Sequence, residues 1–89
     1  SMHALLDTLK NANWPVPEAG YELAGTDGEI VGSAELAWEG LKMAFLTEEE
    51  QKFEQLFLRL KWQVFPLHEV VTNPQNYLGL NGNNNNSSI

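Results

Sequence analysis

The sequence predicts an α+β domain with an αβββαβ core: a three-stranded antiparallel meander, a crossover helix and a fourth strand. Three observations predict it. Asp27-Gly28 lies between two runs of alternating apolar residues, a strong short-range hairpin signal. Glu39-Gly40 is a second plausible two-residue turn, which adds a third strand. Thr47-Glu48-Glu49-Glu50 then opens a helix as a capping box, and Trp62 to Leu67 follows as a short aromatic and β-branched run.

Taken in order, the first element is a helix over about residues 3–12. Met2, Leu5, Leu6 and Leu9 fall on one face, with His3, Asp7 and Lys10 outside. His3 reads as solvated surface, because it stands near a terminus with no histidine beside it. Asn11 and Asn13 are stop residues, and Trp14-Pro15-Val16-Pro17 cannot continue a helix. This segment reads as an extended connection with Trp14 anchored on the core.

Strands follow at about 20–25, 29–38 and 41–46. A two-residue turn at Asp27-Gly28 pairs Leu23 with Gly32 and Glu22 with Ser33. A two-residue turn at Glu39-Gly40 pairs Leu36 with Met43 and Glu35 with Ala44. Directly paired residues share a face. One face then collects Tyr21, Leu23, Ile30, Leu36, Trp38, Leu41, Met43 and Phe45 as a core. The other collects Glu22, Ser33, Glu35, Ala37, Lys42 and Ala44, with Val31 and Leu46 at its ends, and is small and polar in its middle.

Helix two is expected over 48–61, with Phe53, Leu56, Phe57 and Leu60 laid on the sheet. The glutamate triplet belongs to the cap and the positive end of the helix dipole rather than to a metal site. The fourth strand, about 62–66, returns parallel after the crossover, and Pro66 suits its end or an edge. His68 reads as exposed. Residues 1–70 form a single domain and 71–89 an Asn-rich flexible tail, in which Tyr77 to Leu80 is a segment able to dock weakly.

Composition narrows the function classes. The chain has no cysteine, which excludes disulfides and thiolate metal sites. No apolar run approaches the ~20 residues needed to span a bilayer, and no signal peptide is visible, so the expected address is cytoplasmic. A net charge of −7 opposes autonomous binding to nucleic acid, which relies on clustered Lys and Arg. Lys52, Arg59 and Lys61, all on helix two, are the candidate nucleic-acid-binding stripe. A protein partner or a homodimer, through the sheet edge or through Trp14 and Trp62, is expected ahead of nucleic acid, with DNA admitted within a larger parent protein. No membrane role is expected.

The αβββαβ order, with AELAWEGLKMAFL before helix two and LRLKWQVFPL after it, resembles the common core of the PD-(D/E)XK nuclease superfamily in its very-short-patch-repair-like branch. Lys61-Trp62-Gln63-Val64-Phe65 is similar to that branch's "G-W/Y-x-V" strand, and the likeness covers residues 3 to 67. Similar segments occur at the C-terminal ends of large bacterial helicase-like proteins. The resemblance implies metal-dependent phosphodiester chemistry, in which carboxylates hold a divalent cation and a lysine stands near the attacking water. Glu35 matches the acid of the second strand, Glu22 a further acid and Lys42 the lysine of the third strand. The residue two before Lys42 is Gly40, where the pattern wants an acid. If Lys42 instead opens the third strand, the acid is expected near Leu46 and leucine stands there. The E-x-K element is therefore absent on either alignment. The expectation is a non-cleaving accessory domain of a DNA-processing protein that docks or positions. No cofactor is then needed, with Mg²⁺ required only by an active nuclease. The alternatives are a protein-interaction or dimerisation module and an active metal-dependent endonuclease.

Overall fold

The computed structural model describes residues 2–81, and the run from Gly82 onward, part of the expected tail, lies outside the described residues. Helix α1 (Met2–Asn11) leads through the proline-bearing linker into β1 (Glu18–Ala24), β2 (Ile30–Trp38) and β3 (Met43–Leu46). A 3-10 segment (Glu49–Phe53) runs into α2 (Glu54–Arg59), followed by β4 (Gln63–Pro66) and α3 (Leu67–Thr72). The sheet order is β1-β2-β3-β4; β1, β2 and β3 are antiparallel neighbours and β4 lies parallel to β3. This is the α+β architecture expected, with α2 as the crossover. No helix among the described residues is long and apolar enough to cross a membrane.

Both sheet faces are covered. Leu5 and Leu9 of α1 and Val70 of α3 pack with Trp14, Leu36, Trp38, Met43 and Phe45 in one buried cluster. Phe57 of α2 and Trp62 pack with Tyr21, Leu23, Ala34, Ala37, Ala44 and Leu46 in the other. The face expected to be small and polar is thus partly a second core. Its alanines leave room for the large Phe57 ring, which is fully buried. All four residues of β3 are buried, alternating between the two layers, as a central strand covered on both sides must be.

The two hairpins depart from the expected turns in different ways. Gly28 N–H donates to the Gly25 carbonyl, Gly25 N–H donates to that of Glu29, and only Gly28 of the loop has positive φ, at 87°. This is a three-residue loop, a type I turn closed by a left-handed glycine, and not a type I′ turn. A bulge between Leu23 and Ala24 then restores the expected pairs Glu22–Ser33 and Leu23–Gly32. The β2–β3 connection is longer: Glu39–Leu41 form a 3-10 turn and Lys42 adopts φ 55°, so Trp38 pairs with Met43 and Leu36 with Phe45. The slip is two residues, which preserves the faces but removes Leu41 and Lys42 from the strand.

Alternation fails in one place within the meander. Ala34 and Leu36 are two apart on β2 yet belong to different buried clusters. The break lies at Glu35, opposite Gly20, whose φ of 64° requires the left-handed region that glycine enters without penalty. Tyr21 and Leu23 therefore join the α2 layer instead of sharing a face with Leu36 and Trp38. Ile30, expected in the core, is 54% exposed beyond the bulge.

Beyond β4, Leu67, Val70 and Val71 recur on one face of α3, which sequence reasoning left unassigned. Residues 71–81, read as tail by composition, carry the end of α3 and two 3-10 turns, Pro74–Asn76 and Leu78–Asn81. Tyr77 and Leu78 pack on the α1/α3 layer, and Trp14 Nε1 donates to the Leu78 carbonyl at 3.0 Å.

Candidate functional site

The capping box positions the first candidate surface. Thr47 Oγ1 accepts from Glu50 N–H at 3.2 Å, and Glu50 Oε1 accepts from Thr47 N–H at 3.0 Å. The other carboxylate oxygen of Glu50 accepts from Ser33 Oγ at 2.9 Å, tying the crossover segment to β2. Both oxygens of Glu50 are thus committed to the fold. An open groove of about 530 Å³ lies beside them, lined by Glu35, Glu48, Glu49 and Lys52 among others.

Glu35 is half-buried in this groove, whereas Glu22 is exposed on β1. Lys42 stands elsewhere. Its left-handed turn lies outside β3, its carbonyl accepts from Gln63 N–H at 2.8 Å, and its Nζ sits 5.4 Å from the centre of the Trp62 ring. Glu22 pairs with Ser33, while Met43, next to Lys42, pairs with Trp38. Five residues of β2 separate those levels, about 17 Å at ~3.4 Å per residue. The structure places Glu22 and Glu35 on adjacent strands two residues apart and sets Lys42 at the far end of the sheet. Among the described residues, no group of three or more His, Asp or Glu side chains could hold a metal ion. Glu22, Glu35 and Lys42 do not fit Mg²⁺ in this geometry, and no chemical step follows from them.

The basic residues are also redistributed. Lys52 lies on the 3-10 segment in the acidic groove, with its Nζ 5.3 Å from the Phe53 ring centre. Arg59 ends α2, and Lys61 follows with φ 72°, both exposed. About seven residues at ~1.5–2 Å each part Lys52 from Arg59. Lys52 thus sits at the groove end of the crossover and Arg59 and Lys61 at its other end, while the Lys42 ammonium lies over Trp62, next in sequence to Lys61.

Three tryptophans hold the surrounding frame. Trp62 packs edge-on against Phe57 at 5.1 Å and lies 5.4 Å from Tyr21. Burial raises the Tyr21 pKa above its ordinary value, and the charges of Glu39 and Glu18 add to that. Trp38 Nε1 donates to the Pro15 carbonyl at 2.7 Å, and its ring meets Trp14 at 5.0 Å. Trp14 and Trp62 are both buried, so neither is available as a dimer surface. The meeting of Lys42 with Trp62 had no sequence signal, because it follows from an unforeseen left-handed turn.

No family model, curated protein or solved structure matches this chain.

Proposed function

We propose that the chain is an accessory, non-cleaving domain that works by docking on protein, in keeping with the PD-(D/E)XK-like placement of its elements and a role within a larger DNA-processing, helicase-like protein. The observation that carries this reading is the position of Lys42. A nuclease lysine must stand beside the metal-binding acids and the attacking water. Here its ammonium lies over Trp62, and the adjoining Met43 stands five residues of β2 from the level of Glu22 and three from that of Glu35, about 17 and 10 Å at ~3.4 Å per residue. The missing acid at Gly40 and the net charge of −7 support the same reading.

Incubation with supercoiled plasmid and Mg²⁺ or Mn²⁺ is the test. No nicking is expected above the level of a Glu35→Ala variant. Nicking by the parent chain that disappears in Glu35→Ala would overturn the proposal in favour of an active endonuclease.

A further inference from the structure

We infer that the corner formed by Lys42 and the run Leu58–Lys61 is the docking surface, and that its occupant is a protein segment carrying carboxylates beside apolar side chains. This rests on the docking reading above and names the surface and the chemistry of the partner.

Three features meet there. Lys42 and Lys61 come together because Gln63 N–H donates to the Lys42 carbonyl, and the Lys42 ammonium covers the Trp62 ring next in sequence to Lys61. Both lysines occupy left-handed backbone, φ 55° and 72°, where glycine or asparagine is the usual residue. The fold needs those backbone shapes but not those side chains, so the two charges are placed there against local preference. Arg59 is exposed two residues earlier, and three of the five basic residues of an acidic chain thus gather at one end of α2.

Apolar surface accompanies the charge. Leu58 and Leu60 are 42% and 46% exposed, while Leu56 and Phe57 of the same helix pack in the α2 layer. Phosphate backbones engage cations and gain little from leucine, whereas a peptide that places acids beside apolar residues satisfies both. Charge complementarity selects an acidic segment. A second copy offering its groove at Glu35 and Glu48 would join head to tail, a heterologous contact that builds rings or filaments and not the two-fold dimers commonest among oligomers.

The experiment is selection of short random peptides displayed on phage against the full chain, followed by anisotropy of the enriched peptides. Enriched sequences are expected to combine Asp or Glu with Leu, Ile, Phe or Val. Arg59→Glu/Lys61→Glu should weaken their binding by about tenfold, and Leu58→Ser/Leu60→Ser by a similar factor. Circular dichroism of each variant must match the parent, and Lys42→Gln, away from the helix, supplies a second variant. Enriched acidic peptides that bind all variants as tightly as the parent would overturn this corner while leaving protein docking intact. A selection that yields no consensus, or binding of single-stranded oligonucleotide that the same variants abolish, would overturn the docking reading with it. Concentration-dependent self-association lost in Arg59→Glu/Lys61→Glu would instead assign the corner to a second copy and overturn the acidic-segment occupant.

Discussion

Helices α1 and α2 stop in the same way at opposite faces of the sheet. In α1, Trp14 N–H donates to the Leu9 carbonyl and Asn13 N–H to that of Lys10; in α2, Trp62 N–H donates to Phe57 and Lys61 N–H to Leu58. Each is a Schellman motif whose last residue is a buried tryptophan. The difference lies in the left-handed residue, Asn13 at φ 66° against Lys61 at φ 72°. Asparagine tolerates that conformation, while an ordinary side chain costs roughly 1 kcal/mol more. The α1 end is thus a structural stop. The α2 end carries a charge where the backbone prefers none, next to the second left-handed lysine.

The strongest way to break this pairing is to remove each tryptophan. Trp14→Ala and Trp62→Ala should each cost about 3–5 kcal/mol in urea unfolding, because each anchors one of the two layers. A Trp62→Ala variant as stable as the parent would show that the α2 layer is not a second core. Next in size is Glu50→Ala, which strips partners from Thr47 N–H and Ser33 Oγ. A loss of about 1–2 kcal/mol is expected, with no change in the slope of unfolding against urea.

Smaller effects sharpen the comparison itself. Lys61→Gly should stabilise the chain by about 0.5–1 kcal/mol, and more than Asn13→Gly does, because asparagine already tolerates the left-handed region. Equal effects would remove the distinction between the two helix ends. The smallest effect is at alkaline pH. Tyr21 holds its proton to higher pH in the folded chain than in the unfolded chain, where the ordinary value is 10.0. Its contribution is therefore complete below pH 10 and lost as pH rises through the folded value. Tyr77, whose hydroxyl donates to Glu69 Oε1 at 2.6 Å, is shifted in the same direction by that bond. Stability should fall above pH 10, and Tyr21→Phe should flatten part of the decline.

The order of elements was legible because each rests on local chemistry: the Asp27-Gly28 turn, the Thr47/Glu50 box and the switch of apolar period. The β1–β2 register was legible despite a different turn, since the Leu23/Ala24 bulge offsets the longer loop. The β2–β3 register was not, because Glu39-Gly40 reads as a two-residue turn while the chain uses Lys42 as its left-handed residue. Helix α3 escaped notice because six residues show too little periodicity, although Pro66 before Leu67, Val70 and Val71 is a start signal. For the candidate site, the sequence placed Glu22 and Glu35 on neighbouring strands but set Lys42 on the third strand on their face, where the structure has a left-handed turn. Side-chain alternation carries a residue to a face only while the strand continues, and it ends one residue after Lys42 when read back from β3.

The most direct test of docking on protein rather than on nucleic acid is a titration of the chain with duplex and single-stranded DNA at low and moderate salt. The separation of Lys52 from Arg59 and Lys61, together with a net charge of −7, predicts no measurable binding at micromolar concentration in either salt. Micromolar binding that falls steeply with salt and is abolished by Arg59→Glu/Lys61→Glu would contradict it.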